Sequence, residues 1–314
     1  MNTNSNSNDP QRGVVIMKST HSYRVQSGNE RLDCTLSARA GKQSPGELPT
    51  VGDEVLLSLS APGCGQIIER LPRRNQLARR SAVPMPSAHA HEQVIAANVD
   101  QVMPVFAVGE PDPSWHLLDR YLVSAESAGI PALVCITKLD LLEPGLGAAQ
   151  LEAAVDDYRR IGYPVIETSY QSDTGLDKLR YALHGRLTVL VGKSGVGKTS
   201  LLNALQPGLG LCVREVSRAS GRGRHTTTHL EMFPLDGGGA IIDTPGIREF
   251  GLWDVAEDDL ALFFPEMRPY IGKCKFGLGC RHDEEPGCAI RRAVNTGLIS
   301  PYRYQSYLRL KENP

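Results

Sequence analysis

The sequence of 314 residues predicts three domains: a small β-barrel, a central α/β domain, and a mostly helical domain at the carboxyl end. Three observations support this division. Short alternating segments fill residues 13–80, apolar runs recur between residues 130 and 242, and a compact Cys/His cluster spans residues 274–288. Alternation is typical of half-buried strands, whereas continuous apolar runs are typical of parallel strands that are covered on both faces.

The first domain is predicted at residues 13–80, where five or so short strands are separated by loops rich in Gly and Pro. This pattern favours a small β-barrel such as an OB-fold. Such barrels bind RNA or serve as protein docks, and the pattern alone does not separate these two uses. Residues 1–12 are rich in Asn and Ser, and we expect a disordered tail without a secretory signal.

The central domain, residues 81–254, contains a phosphate-binding loop of the pattern G-x-x-x-x-G-K-[ST]. An apolar run precedes it at residues 187–191, and a helix-like segment follows it, which is the strand–loop–helix context that the motif needs. Lys198 would reach the β- and γ-phosphates, and the Thr199 hydroxyl would bind Mg²⁺. The predicted loop residues are Gly192, Lys193, Ser194, Gly195, Val196, Gly197, Lys198, Thr199 and Ser200.

A T-K-x-D box follows the apolar run at residues 130–136 and consists of Thr137, Lys138, Leu139 and Asp140. An ionised Asp only accepts hydrogen bonds, and guanine offers the N1–H and N2–H₂ donors together. Adenine presents no such pair, so the box favours GTP over ATP. Ser169 follows the next strand-like run, where a loop amide could meet guanine O6, although a plain strand end is an equal alternative.

Two further segments resemble nucleotide switches. In the D-T-P-G box, Asp243 would hold Mg²⁺ through water and the Gly246 amide would meet the γ-phosphate. Within the Arg-, Gly- and Thr-rich residues 214–229, Thr227 would complete the Mg²⁺ shell, unless this segment is only a basic surface loop. Ile247 stands where many GTPases place a water-orienting Gln, so we expect slow intrinsic hydrolysis. His225 in cis, or a partner in trans, would supply the missing polar group.

The order of these motifs is unusual, since in most GTPases the T-K-x-D box follows the phosphate loop and the D-T-P-G box. Here it precedes both. The central domain is therefore predicted to be a circularly permuted P-loop GTPase domain, with His225, Thr227 and Lys198 as its catalytic candidates.

The last domain, residues 255–314, carries the pattern C-x5-C-x-H-x5-C, formed by Cys274, Cys280, His282 and Cys288. Three thiolates and one imidazole form a closed tetrahedral set for one structural Zn²⁺. The alternative is a coincidence of cysteines in a loop-rich tail. The total of seven cysteines is odd, which together with a nucleotide-binding domain favours free thiols in a reducing, cytoplasmic compartment.

Charge is unevenly distributed, although the net charge is only −1. Basic residues cluster at 70–80, 214–224 and 273–292, whereas acidic residues concentrate at 140–157 and 249–259. This separation fits an RNA-facing side, and a solvated surface is the alternative. No apolar run approaches 18 residues, so no membrane span is expected.

Taken together, these motifs resemble the ribosome small-subunit-dependent GTPase family of bacteria. The resemblance rests on residues 72–80 and 96–102, the permuted boxes, the G-R-H-T-T-T segment and the Cys/His cluster with its E-P-G-C ending. It implies an OB-fold, a permuted GTPase domain and a helical zinc domain. It also implies late maturation of the 30S subunit, contact with 16S rRNA, and GTP hydrolysis to GDP stimulated by that subunit; we expect a monomer.

Two departures from the family pattern stand out. Five residues separate the first two cysteines, where four are usual, and Tyr170 replaces a small residue after Ser169. Two other functions remain as alternatives: a small-molecule P-loop kinase or ATPase, and a nucleotide-gated RNA-binding module in which hydrolysis is incidental.

Overall fold

The computed structural model describes residues 10–20, 22–38, 40, 47–80, 92–109, 113–210, 230–243 and 255–312. Its strands are β1 Gln11–Lys18, β2 Tyr23–Ser27, β3 Glu30–Leu36, β4 Glu54–Ala61, β5 Cys64–Arg70, β6 Gln76–Arg80, β7 Glu92–Ala97, β8 Gln101–Ala107, β9 Val134–Thr137, β10 Val165–Glu167, β11 Leu187–Val191, β12 Leu230–Pro234 and β13 Ala240–Asp243. Its α-helices are α1 Trp115–Ser127, α2 Leu146–Ile161, α3 Leu176–Leu183, α4 Lys198–Leu205, α5 Ala289–Asn295 and α6 Pro301–Glu312. Within the described residues, no helix is both long and apolar enough to cross a membrane.

The first five strands close into a barrel in the order β1-β2-β3-β5-β4, with β4 pairing back onto β1. Only the β3–β5 pair is parallel. Alternate side chains point inward and form a small apolar core that includes Val15, Val25, Leu57 and Ile67, all fully buried. Closure leaves no free sheet edge within the barrel, which stabilises so small a domain.

A hairpin of β6 and β7 connects the barrel to the central domain, and a buried ion pair fixes the connection. Both carboxylate oxygens of Asp53 accept from the Arg73 guanidinium at 2.8 Å. Arg73 also donates to Gln76 Oε1 at 2.8 Å, and Asp53 accepts from the Thr50 amide. This bidentate geometry offsets the desolvation free energy of the Asp53 carboxylate, which is fully inaccessible to solvent.

The central domain is a six-stranded sheet in the order β10-β9-β8-β11-β13-β12. All neighbouring pairs are parallel except β12–β13. Helices α1 and α2 pack on one face of the sheet, and α3 and α4 pack on the other. The strands are therefore buried on both sides, which explains why they lack the alternation of the barrel strands.

The barrel and the central sheet meet through their edges. The last two residues of β1, Met17 and Lys18, pair in antiparallel register with Glu231 and Leu230 of β12. The barrel thereby covers the end of a strand that would otherwise present unpaired backbone groups.

The C-terminal domain combines α5 and α6 with three 3₁₀ turns, and it shares a core with the central domain. Val123 of α1 is fully buried against this core, which includes Phe264, Met267 and Ile290. Helix α1 thus packs on the central sheet with one side and on the C-terminal domain with the other.

A buried charge cluster holds α6 against the central domain. Arg303 is 2% exposed and donates to Asp119 of α1 at 2.6 Å and to Glu266 at 2.7 Å. Its guanidinium carbon lies 4.6 Å from the ring centroid of Phe264 and 5.7 Å from that of Tyr158. The Tyr158 hydroxyl also donates to Asp119 at 2.7 Å. One cation therefore serves two carboxylates and two aromatic faces, so its removal would leave buried negative charge.

We expect Arg303→Met to lower the free energy of unfolding by about 3–5 kcal/mol, since it leaves Asp119 and Glu266 buried without their cation. Urea unfolding followed by circular dichroism measures this loss. Arg309→Met, at an exposed position on the same helix, is the matched control and should change stability by less than ~1 kcal/mol. Equal stability of the two variants would show that the cluster does not hold the domains together.

Candidate nucleotide and metal sites

The predicted nucleotide-binding residues that the structure describes lie at one edge of the central sheet. Because β8, β9, β10, β11 and β13 are parallel, their carboxyl ends lie along the same edge. The T-K-x-D box begins at the last residue of β9, the phosphate loop follows β11, and Asp243 ends β13. Open α/β sheets bind ligands at this edge.

The phosphate loop has the backbone conformation that its glycines permit. Gly192, Gly195 and Gly197 have φ angles of 152°, 87° and 94°, which side chains with a Cβ rarely adopt. A Cβ at Gly192 would also lie 2.4 Å from the Val105 carbonyl oxygen. The chain then enters α4 at Lys198, so the loop amides and the helix N-terminus face the same space. This arrangement suits an anionic phosphate.

Lys198 folds over this loop. Its ammonium group donates to the carbonyl oxygens of Gly192 at 2.7 Å and Lys193 at 3.0 Å. Burial lowers the pKa of Lys198, and the nearby negative charge of Asp243 opposes that shift. The two carbonyl oxygens hold the ammonium group near the loop, from where it can turn toward a bound phosphate. A phosphate carries a negative charge and would therefore bind the ammonium more strongly than the neutral carbonyls do.

A threonine hydroxyl joins the base-reading box to the phosphate loop. Thr137 Oγ1 lies 2.5 Å from the Val196 carbonyl oxygen and 3.1 Å from that of Phe106. Thr137 is buried, and a Cβ at Gly197 would lie within 3.7 Å of its hydroxyl. Two loops that are 59 residues apart in the chain are therefore in direct contact.

Ser169 orients the carboxylate that would read the base. Its hydroxyl makes a short hydrogen bond to Asp140 Oδ1, while its own amide donates to the Thr174 carbonyl at 3.0 Å. The neighbouring Tyr170 amide is thus the candidate donor to guanine O6. The sequence indicated a loop amide here but gave no sign of the Ser169–Asp140 bond, because a serine at a strand end has no fixed side-chain partner. Asp140 is exposed, as a ligand-binding carboxylate must be.

Candidate oxygen ligands for Mg²⁺ lie at the same edge. Thr199 is the second residue of α4, directly after Lys198, and the Asp243 carboxylate is close enough to Lys198 to affect its pKa. Hydroxyl and carboxylate oxygens suit this hard cation, which would neutralise phosphate charge when bound. Other predicted residues lie outside the described part of the chain: His225, Thr227, Gly246 and Ile247, together with the whole of segment 214–229.

The four predicted metal ligands come together in the C-terminal domain. Cys274, Cys280, His282 and Cys288 are all buried, and their ligand atoms lie within 4.8 Å of one another. His282 Nδ1 is 3.5 Å from the Cys274 sulfur and 3.6 Å from the Cys288 sulfur, and these two sulfurs are 3.9 Å apart. Tetrahedral zinc with its usual bond lengths requires S–S distances of about 3.8 Å and S–N distances of about 3.6 Å. The distances among Cys274, His282 and Cys288 therefore fit such an ion, and the Cys280 sulfur lies within 4.8 Å of the other three ligand atoms.

Backbone amides around this cluster stabilise the sulfurs as thiolates, and a tyrosine hydroxyl holds the histidine backbone. The Ala289 amide donates to the Cys274 sulfur at 3.2 Å, and the Arg291 amide donates to the Cys288 sulfur at 3.5 Å. The Tyr304 hydroxyl donates to the His282 carbonyl at 2.7 Å. Without a cation, burial raises the pKa of the Cys280 thiol to about 12, so a bound metal ion is what would keep it deprotonated.

Comparison with known proteins agrees with this arrangement. The sequence model of the RsgA GTPase family matches residues 70–253. The chain is 42% identical over 304 residues to the small ribosomal subunit biogenesis GTPase RsgA of Gemmatimonas aurantiaca, covering 96% of each chain. It is 44% identical over 300 residues to the protein of the same name from Pseudomonas aeruginosa, covering 95% of this chain and 84% of the relative.

Two solved structures share the whole fold. The crystal structure of YjeQ from Thermotoga maritima has a TM-score of 0.78 and 30% identity, covering 96% of this chain and 98% of the other. The structure of YloQ, described as a circularly permuted GTPase, has a TM-score of 0.73 and 31% identity, covering 99% of this chain and 97% of the other.

The metal cluster generates a direct prediction. Purified protein should carry one Zn²⁺ per chain, and Cys280→Ser should lose it after dialysis against a chelator, since the alcohol is a poor ligand for this ion. Metal analysis by mass spectrometry gives the stoichiometry. Cys64→Ser, at an exposed cysteine of the barrel, is the matched control and should retain its zinc. Zinc content that is equal in the two variants would exclude Cys280 as a ligand.

Proposed function

The chain belongs to the RsgA GTPase family, and on that premise we propose that it hydrolyses GTP while docked on the 30S ribosomal subunit, as a late assembly and checkpoint factor. The observation that carries this proposal is the contact between the T-K-x-D box and the phosphate loop, made by Thr137 and Val196. This contact supports one site that combines a base-reading carboxylate with a phosphate cradle. Small-molecule kinases and ATPases have no need of a carboxylate that reads guanine.

The roles of the nucleotide-site residues follow from their chemistry. Asp140 accepts from guanine N1–H and N2–H₂, and Ser169 holds its carboxylate in place. Lys198 exchanges its two carbonyl partners for phosphate oxygens, while Thr199 and Asp243 hold Mg²⁺, directly and through water. The Gly246 amide meets the γ-phosphate. The pattern of the motifs supports all of these assignments, and the common sheet edge supports those of the residues that the structure describes.

The flanking domains supply the docking surfaces. We propose that the barrel and the C-terminal domain contact 16S rRNA, and that the Cys₃His cluster holds a structural Zn²⁺. Three thiolates and one imidazole leave no ligand position for a catalytic water, so the ion stabilises the fold and takes no part in hydrolysis. The factor would act as a monomer in the cytoplasm. The relatives' shared name, which refers to small-subunit biogenesis, supports the contact with the small subunit.

Hydrolysis in the presence of 30S subunits tests the function. Wild-type protein should release phosphate from GTP slowly on its own and much faster with subunits, since activators accelerate such GTPases up to roughly 10⁵-fold. Lys198→Ala should lose about 10²- to 10³-fold of the stimulated rate, as expected when one charge-stabilising donor is removed. Lys193→Ala, which removes an exposed lysine of the same loop, should stay within a few-fold of wild type.

The results of this hydrolysis assay distinguish the proposed GTPase function from its alternatives. Subunits that bind the protein without accelerating hydrolysis would favour a nucleotide-gated RNA-binding module. Equal turnover of Lys198→Ala and Lys193→Ala would refute the assignment of the phosphate site.

The source of the water-orienting group generates a further prediction. Ile247 cannot hydrogen-bond water, so we propose that docking on the subunit brings His225 to the γ-phosphate, where a neutral imidazole can hold the attacking water. Thr227 would bind Mg²⁺ in the same state. His225→Ala should keep its affinity for GTP and for subunits but lose the stimulation of phosphate release. His229→Ala, from the same segment, is the control, and full stimulation of His225→Ala would assign the polar group elsewhere.

A further inference from the structure

The loop between the first two cysteines of the metal cluster carries two large apolar side chains, Phe276 and Leu278, that are largely exposed. We call residues 273–279 the metal-site loop. Phe276 is 51% exposed and Leu278 is 84% exposed. Large apolar side chains that stand together at a loop tip, with cations beside them, are typical of a contact surface.

Backbone hydrogen bonds hold the metal-site loop in place despite its exposure. The ligands Cys274 and Cys280 lie at its start and directly after its end. The Gly277 amide donates to the Cys274 carbonyl at 2.9 Å, and the Gly279 amide donates to the Phe276 carbonyl at 3.2 Å. The Lys275 amide donates to the Gly287 carbonyl at 3.1 Å. Phe276 and Leu278 are therefore presented by a fixed backbone, which reduces the entropy lost when they bind a partner.

The positive charge around the metal-site loop favours a negatively charged partner. Lys273 and Lys275 are exposed, and neither is paired with a carboxylate in the part of the chain that the structure describes. The Lys275 ammonium lies 5.8 Å from the Phe276 ring centroid. Arg291 is also exposed, and its backbone amide contacts the Cys288 sulfur. An aromatic ring beside cations is how proteins bind unpaired nucleotides, with bases stacked on the ring and phosphates on the cations.

We propose that the metal-site loop binds an unpaired segment of ribosomal RNA, with Phe276 stacked on a base, Leu278 against its neighbour, and Lys273 and Lys275 on the flanking phosphates. This inference rests on the proposed function, because it takes the 30S subunit as the partner. The proposed RNA contact lies in the segment where this chain has five residues between its first two cysteines. The proposal therefore gives a function to the residue by which this segment exceeds the usual four.

Binding of full-length, metal-loaded protein to purified 30S subunits with a non-hydrolysable GTP analogue tests the proposal. Phe276→Ala should weaken binding by roughly 5- to 150-fold, the range for loss of one stacked base. Phe276→Leu, which keeps apolar volume but cannot stack in this way, should also weaken it. Tyr181→Ala is the control: it removes a more exposed ring, 86% accessible, from α3 of the central domain, and should bind like wild type.

Salt dependence separates the cations from the ring. Lys275→Ala should reduce the slope of log affinity against log salt concentration by about 0.7, as expected for one phosphate contact on a single strand. Phe276→Ala should leave that slope unchanged. Zinc content equal to wild type in each variant shows that the cluster is intact.

Photocrosslinking identifies the class of partner. Protein carrying Leu278→p-benzoylphenylalanine should form an adduct with ribosomal RNA after irradiation of the 30S complex. An adduct with ribosomal proteins alone would overturn the proposal. If wild-type protein does not bind subunits, the proposed function itself fails; if wild type binds and both Phe276 variants bind equally well, only this inference fails.

Discussion

The parallel pairing of β8 with β9 and β11 is the constraint on which the nucleotide site depends. This pairing places the carboxyl ends of all three strands along one edge of the sheet, whatever the order of the strands in the sequence. The Thr137 hydroxyl then fixes the spacing of two loops by contacting the Val196 carbonyl. A circular permutation changes the connections between strands but not their neighbours, so the same site survives it. The function follows from spatial order, which the sheet preserves.

The two flanking domains are held on this core by different interactions. The barrel joins the edge of the sheet through two residue pairs between β1 and β12, supported by the buried Arg73–Asp53 pair at the hairpin. The C-terminal domain instead shares an apolar core with α1 and closes it with Arg303. The contact of the barrel domain also includes Val51, which is buried in the apolar core of the central domain. Each flanking domain is therefore attached by apolar packing together with buried polar contacts.

The sequence predicted the elements whose functional residues are close together in the chain or follow a regular pattern. Glycines at fixed spacing defined the phosphate loop, and ligand spacing defined the metal cluster, because in both the residues that act together are close in the chain. The barrel followed from the alternation of its strands. Contacts between distant segments could not be predicted: Ser169 with Asp140, Thr137 with Val196, and Arg303 with Asp119. These pairs are made by the tertiary fold, and a lone serine, threonine or arginine carries no signal of its partner. The roles of His225 and Thr227 remain predictions.

The measurement that most directly tests a single guanine site at the sheet edge is the nucleotide preference of Asp140→Asn. Xanthine replaces the guanine 2-amino donor with an oxygen acceptor, and Asn can accept from N1–H with its oxygen while donating to that acceptor with its amide. Competition titration with GDP and xanthosine diphosphate should show the wild type preferring GDP and the variant preferring xanthosine diphosphate, by roughly tenfold or more. A variant that keeps the wild-type preference for GDP would contradict the account, because the base would then be read elsewhere.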